Sequence, residues 1–141
     1  MQTAPAIRIL LDSPAAHYQP GDSLSGRFFI EGTQMRTVRA AELSVVWYTA
    51  GKGEEDFAVH HFERHIDDSA RPLDLRVPRR FTTKLPPSPL SYDGEVVKVC
   101  WCVRLRLFFP QIQDTVAEIP FRLGSVAAGA QVAADEPEQL E

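Results

Sequence analysis

The fold class is decided by one stretch of eleven residues: Val97, Lys98, Val99, Cys100, Trp101, Cys102, Val103, Arg104, Leu105, Arg106 and Leu107. Every odd position in it is apolar, whereas the even positions hold a lysine, two cysteines and two arginines. Side chains alternate between the two faces of a β-strand, so the pattern predicts one long strand with an apolar inner face and a mostly basic outer face. A strand of roughly 35 Å needs neighbouring strands along its whole length.

Strand patterns recur through the rest of the chain. They cover residues 7–11, 23–31, 38–48, 56–66, 73–77 and 115–123, separated by turns and by a proline-bearing loop at 82–94. Gly26 predicts a bulge or a close backbone approach, and Pro120 predicts an edge strand or a bulge. In 56–66 the pattern does not say which face points inward. With about eight strands and no helical pattern, we predict an all-β, antiparallel, immunoglobulin-like β-sandwich.

Length and charge predict one domain with a tail. The chain has 141 residues, of which 44% are hydrophobic, enough for a single core. We assign residues 1–124 to the domain and residues 125–141 to a mobile tail, first rich in Ala and Gly and then acidic. Four acids in the last seven residues account for the net charge of −4. The remaining charges cancel, so no basic field indicates nucleic-acid binding.

The compartment is predicted from what the sequence lacks and from its cysteines. No signal peptide is visible at the N-terminus, and no run reaches the ~18 apolar residues of a membrane span, so we expect no integral membrane association. The two cysteines, Cys100 and Cys102, stand i, i+2 on one strand face and cannot bridge each other without breaking the strand. We therefore predict a cytoplasmic protein.

Candidate catalytic and metal-binding residues do not assemble into a known pattern. On a regular strand His61 and His65 share a face about 13 Å apart and His60 points the opposite way, so no pair within the strand can chelate one zinc ion. The cysteines lack a second Cys pair to complete a four-ligand site. No Gly-x-Ser-x-Gly and no phosphate-binding loop is present. We predict no cofactor, no metal and no enzymatic activity.

Two kinds of contact surface remain. The first is a basic set that could engage a phosphorylated or acidic partner through arginine contacts, or could be a solvated face that discourages aggregation. The second is a free sheet edge, at which a partner can add a strand by backbone hydrogen bonding. The basic set comprises Arg76, Arg79, Arg80, Lys84, Lys98, Arg104 and Arg106.

Three segments resemble the N-terminal domain of the arrestin-like family. They are Tyr18–Ile30, with its Tyr-Gln-Pro-Gly-Asp entry into a strand; Leu73–Leu75 followed by Leu85–Gly94, which leads into the long strand from Val97; and the closing segment Ile119–Leu123. Retromer subunits and bacterial sporulation-control proteins of the arrestin-like class have similar sandwiches. The resemblance implies an arrestin-like β-sandwich that acts as a non-enzymatic interaction or scaffold module for another protein, with homo-oligomerisation as a further possibility.

Two other functions stay open at this stage. A small-ligand site for a glycan or a lipid headgroup would use exposed aromatic residues such as Tyr48, Tyr92 or Phe109 beside arginines, and would require a concave pocket. An unrecognised hydrolase or transferase would need titratable residues that cluster only in space.

Overall fold

The computed structural model describes residues 6–31, 38–53, 55–124 and 126–127. Every regular secondary-structure element in these ranges is a β-strand. In chain order they are β1 (Ala6–Leu11), β2 (His17–Tyr18), β3 (Ser23–Glu31), β4 (Ala40–Gly51), β5 (Phe57–Ile66), β6 (Arg79–Lys84), β7 (Tyr92–Asp93), β8 (Val97–Phe109), β9 (Ile112–Leu123) and β10 (Val126–Ala127). Seven of them have six residues or more and three have two residues. None of the described ranges contains a helix that could cross a bilayer.

The strands form two sheets. The smaller sheet has the order β1-β3-β6, and all its pairs are antiparallel. The larger sheet has the order β10-β7-β8-β4-β5. β9 also pairs with β8, beyond the short β7, and β2 runs parallel to the end of β9. The predicted all-β antiparallel sandwich is confirmed, with β8 and β4 at the centre of the larger sheet.

The core lies between the two sheets, and the predicted inner face of β8 is part of it. Trp101, Val103, Leu105 and Leu107 are each at most 1% exposed. The smaller sheet covers them with buried apolar side chains, among them Phe28. Alternating burial of this kind stabilises the sandwich mainly through the hydrophobic effect, at about 1.5–3 kcal/mol for each large side chain that is fully buried.

Two local predictions at special residues are confirmed. Gly26 lies where β3 runs between β1 and β6, and a Cβ atom there would collide with the Leu10 carbonyl and lie 2.9 Å from the Phe81 ring. This is the close approach that the sequence predicts. Pro120 of β9 lies opposite Cys102 of β8. On its side away from β8, β9 is paired only at its end, by the two residues of β2. β9 is therefore an edge strand at Pro120, where no ladder hydrogen bond is lost.

The predicted strand at 73–77 is wrong. This segment is a turn closed by the Val77 amide, which donates to the Asp74 carbonyl at 3.2 Å, while Val77 itself is 62% exposed. Leu75 is buried, and its carbonyl accepts the Ile30 amide at 2.8 Å. The alternation thus comes from leucines that reach the core from a turn. The strand forms immediately afterwards as β6, which extends into the predicted loop.

A short strand follows Gly124, the last residue of the predicted domain. Tyr92 and Asp93 of β7 pair in parallel with β10, two residues beyond Gly124, so a short part of the predicted tail joins the larger sheet. The rest of the predicted mobile tail, residues 128–141, lies outside the described residues.

Candidate functional site

The structure distributes the predicted basic residues over different parts of the molecule. Arg80 and Lys84 alternate with buried Phe81 on β6 and therefore lie on the outer face of the smaller sheet. Lys98, Arg104 and Arg106 lie on the outer face of the larger sheet, on the opposite side of the sandwich. Arg79 stands opposite the buried Phe28, at the end of β6, and Arg76 belongs to the turn before it. The set does not form one continuous basic face.

Four of these cations have acidic partners at hydrogen-bonding distance or slightly beyond. Arg76 pairs with Asp74 at 2.9 Å, Arg80 with Asp12 at 2.5 Å, Arg104 with Glu118 at 2.6 Å and Arg106 with Asp114 at 3.3 Å. The hydrogen bonds from Arg76 lower the pKa of the Asp74 carboxyl. Such pairing reduces the positive potential that the sequence alone implies. Whether these residues bind a partner stays a prediction.

The smaller sheet carries a basic cluster that the sequence prediction missed. Arg27 of β3 stands directly opposite Arg80 of β6, and both point outward. Side chains directly opposed on one face are only about 5 Å apart at Cβ, and like charges there are unfavourable unless an acid compensates them. In the next row the Ser25 and Thr82 hydroxyls are hydrogen bonded at 2.8 Å. Only the β3–β6 register, which pairs residues far apart in sequence, brings these four side chains together.

The open edge of the larger sheet, β5, contains a bulge at His60. The register shifts there, because Val45 pairs with His61 and Val46 pairs with Val59, leaving His60 without an opposite residue. His60 therefore points inward, against the expectation that it faces away from His61 and His65. Its Nε2 donates to the Lys84 carbonyl of β6 at 2.8 Å, and its ring packs against Trp101 at 6.0 Å.

The other two histidines of β5 share one carboxylate on the inner side of the edge. Nε2 of His61 and Nε2 of His65 lie 2.7 Å and 3.1 Å from the two oxygens of Glu63. All three side chains are about one quarter exposed. Inward charged residues and bulges are devices that protect sheet edges from pairing with another chain. In the described ranges, no three His, Cys, Asp or Glu side chains are placed to hold a metal ion together.

The two cysteines differ in their surroundings. Both are free thiols; Cys100 is half-buried, whereas Cys102 is only 3% exposed although it lies on the outer side of β8. Its cross-strand neighbours are Val46 and Pro120, which are apolar. Burial, together with the nearby Glu118, raises the pKa of the Cys102 thiol to about 11. Cys102 is therefore a packing residue rather than a nucleophile.

A concave region on the outer face of the larger sheet fits one part of the ligand hypothesis. Tyr48, Phe57 and Arg104 line a cavity of about 420 Å³, and the Arg104 guanidinium lies 5.4 Å from the centre of the Phe57 ring. Phe109, which was expected to be exposed, is only 7% exposed because it faces the core. Tyr92 is half-buried in β7 and does not line this cavity.

The two stacked antiparallel sheets form an arrestin-like β-sandwich, as the three sequence segments predict. Among solved structures, the chain is similar to the crystal structure of Spo0M, a sporulation control protein from Bacillus subtilis. The two share 18% of their residues and superpose with a TM-score of 0.61 over 87% of this chain and 50% of that one. This chain thus spans about half the length of Spo0M, and at this identity the likeness shows the fold alone.

Sequence comparison adds no further assignment. No family model matches the chain, and no curated protein matches it. Function must therefore be argued from the surfaces of the sandwich.

Proposed function

We propose that this chain is a non-enzymatic, cytoplasmic protein-interaction module that binds an extended segment of a partner protein along the edge of β1. The arrestin-like fold supports a scaffold role, and the free thiols are compatible with a reducing compartment. The observation that carries the proposal is the difference between β1 and the other long edges of the two sheets.

β1 lacks the protective features of the other edges. β5 has the bulge and the inward His–Glu–His row, and β9 has Pro120. At the end of β6, the Lys84 carbonyl accepts a hydrogen bond from the His60 side chain and is therefore not free for another strand. In β1 the inward residues are aliphatic, with Ile9 8% exposed, and the strand contains neither proline nor glycine. An unprotected edge is a template for strand addition.

The register identifies the backbone groups that are available on β1. The Asp12 amide donates to the Ser25 carbonyl, and hydrogen-bonded pairs alternate along an antiparallel ladder. Leu10 and Arg8 therefore bond to β3, whereas the amides of Ile7 and Ile9 point to the open edge. An added strand would find its first hydrogen-bond donors there.

The side chains around this edge favour an acidic or phosphorylated segment. Outward side chains of an added strand would lie beside Arg8 of β1, with Arg27 and Arg80 on the next strands of the same face. Arg8 pairs with Glu31 at 2.8 Å and Arg80 with Asp12, but both pairs are about half exposed and can exchange partners. Arginine binds carboxylates and phosphates by two parallel hydrogen bonds, which adds specificity to the backbone ladder.

The substitution Ile7→Pro tests the proposal. It removes one open amide, keeps an apolar side chain and leaves the β1–β3 hydrogen bonds in place, since proline is tolerated on the solvent side of an edge. Cross-linking from native lysate should recover a stoichiometric partner with the wild-type chain and with Ile7→Val, but not with Ile7→Pro. Equal recovery with Ile7→Pro, at an unchanged melting temperature, would exclude the β1 edge.

The cavity lined by Tyr48, Phe57 and Arg104 supports a second candidate, the binding of a glycan or a lipid headgroup. Its volume of about 420 Å³ lies in the range of small-molecule sites. A ligand that binds only the folded state raises the melting temperature by mass action. A thermal-shift screen with sugars and soluble phosphoinositides should then show an increase that Tyr48→Ala and Phe57→Ala abolish. No increase with any compound of either class would count against this candidate.

A further inference from the structure

We propose that the outer face of the larger sheet is a contact surface between two copies of this chain. This inference concerns the opposite side of the sandwich from the Arg8 and Arg27 face and does not depend on strand addition at β1. It starts from an inversion in β5, which turns its apolar side chains to solvent and its histidines and glutamate to the inside.

The bulge at His60 collects the apolar side chains of β5 on one face. Phe57 and Val59 lie before the bulge, Phe62 and Ile66 lie after it, and in a regular strand the two pairs would point to opposite sides. With the bulge, each stands opposite an outward residue of β4. They are 53%, 49%, 53% and 55% exposed. Phe57, Val59 and Phe62 follow one another on this face, and an exposed apolar cluster indicates an interaction site.

The patch continues across the sheet into outer-face residues that are already buried in the single chain. Val46 of β4 is fully buried and Cys102 of β8 is 3% exposed, although both belong to the outer face. Val59 and Pro120 flank them in the same row on β5 and β9. An apolar row with one residue from each of four strands therefore crosses the face, and an interface core has this apolar composition.

The charges in the two charged rows of this face neutralise one another, and Lys98 lies outside these rows at the start of β8. Arg64 pairs with Glu42, Arg104 with Glu118 and Arg106 with Asp114, so each cation of the two charged rows has an acid beside it. Such neutral rows give no net attraction to an acidic or a basic partner, and their ion pairs can form the polar rim of an interface without leaving either partner unpaired. A second copy offers a face with the same balance, in an isologous arrangement in which both copies use the same patch.

The size and shape of the face suit sheet-on-sheet packing. Four strands spaced ~4.8 Å apart, over about ten residues each, give a flat area of roughly 600 Å². A standard protein interface buries about 800 Å² on each partner, and the accessible area of a sheet exceeds its flat area. Two such sheets pack face to face at ~10 Å, with strands within about 30° of one another.

Sedimentation equilibrium on the full chain tests this proposal. Between about 1 µM and 100 µM, the range in which a micromolar dimer changes population, the wild-type chain should shift from monomer to dimer. Phe62→Glu and Val59→Lys should each raise the dimer Kd about thirtyfold or more, because each places a charge in the apolar contact that β5 would make. Val77→Lys is the matched control, since Val77 is 62% exposed but lies in the turn before β6. It should leave the Kd unchanged, and circular dichroism should show that all variants are folded.

Three results would overturn the proposal. The first is a wild-type chain that stays monomeric at about 100 µM, whether because the face is open or because other parts of the chain cover it. The second is a dimer that persists in both Phe62→Glu and Val59→Lys. The third is a dimer that Ile7→Pro abolishes and the face variants do not, because the copies would then meet at the β1 edge. A dimer that Ile7→Pro leaves intact supports this inference even if no partner adds a strand to β1.

Discussion

β8 and β5 flank the same strand, β4, and both separate apolar from polar side chains between their two faces, yet they place these faces on opposite sides. β8 turns Trp101 and its apolar neighbours into the core, whereas β5 turns Phe62 to solvent and Glu63 inward. The physical difference is position. β8 has partners on both edges and is covered by the smaller sheet, so its apolar face must be the buried one. β5 lies at the open side of the sandwich, where inward polar groups can still reach water or the β6 backbone.

The comparison shows that alternation identifies a strand but does not by itself decide which face is buried. At the edge, the His–Glu–His row is about one quarter exposed and costs little stability, because its members hydrogen bond to one another. At the centre, the same row would be buried without water. We use four predictions to test this contrast between a buried central strand and an inverted edge strand.

The largest effect is expected for Trp101→Ala. Trp101 is 1% exposed, its Nε1 donates to the Pro89 carbonyl at 2.8 Å, and its ring packs on Phe121. Its removal should lower the free energy of unfolding by about 3–5 kcal/mol. Phe62→Ala on β5 should change it by less than about 0.5 kcal/mol when measured in dilute solution. Urea denaturation measures both. A loss below about 1 kcal/mol for Trp101→Ala would show that the faces of β8 are reversed.

The thiols of β8 give the second test, because Cys102 is buried on a side that the alternation predicts to be outer. With a pKa raised to about 11, Cys102 carries thiolate in roughly one molecule in a thousand at pH 8. Iodoacetamide should therefore label Cys100 well before Cys102, as mass spectrometry of the digested protein can show. Labelling of Cys102 should accelerate as the pH approaches 11. Equal rates at pH 8 would mean that the row of Val46, Cys102 and Pro120 is open to water.

The sequence was sufficient for the central strands and for the fold class. The regular alternation of Val97–Leu107, the turn before Ser23 and the position of Pro120 each have a local cause, so each could be predicted from neighbouring residues. The prediction of a strand at 73–77 was wrong, because the local pattern there has a cause other than a strand. Its leucines are buried, but a turn rather than a strand carries them, and apolar spacing over five residues cannot distinguish the two.

The candidate surfaces could be predicted only in part, because they depend on register. The sequence identifies Arg80, but only the pairing of β3 with β6 places Arg27 opposite it. The bulge at His60 has no glycine or proline to mark it, and it alone decides that three histidines face inward and four apolar residues face outward. Which long-range pairs form is set by the packing of the whole sandwich, which no local pattern contains.

The contact between the two sheets through His60 gives a third, smaller effect. His60→Ala removes the hydrogen bond to the Lys84 carbonyl and the packing on Trp101, and should lower the free energy of unfolding by about 1–2 kcal/mol. His60→Gln can restore a donor and should recover part of the loss. Urea denaturation in dilute solution again gives the comparison. If His60→Ala were as stable as the wild type, the bulge would not join β5 to β6.

The smallest effect is expected for the outer arginines of β8, Arg104 and Arg106. Each makes one ion pair with an acid on β9, and all four side chains are between 30% and 47% exposed. Exposed pairs contribute at most about 1 kcal/mol, because solvent screens the charges and ordering long side chains costs entropy. Arg104→Ala and Arg106→Ala should each lower the free energy of unfolding by less than about 1 kcal/mol, and high salt should reduce the loss further. Arg104→Ala should lose slightly more, since its guanidinium also covers the Phe57 ring. A loss approaching that of Trp101→Ala, insensitive to salt, would mean that the outer face of β8 is buried in solution and that the dimer contact persists at the dilution used.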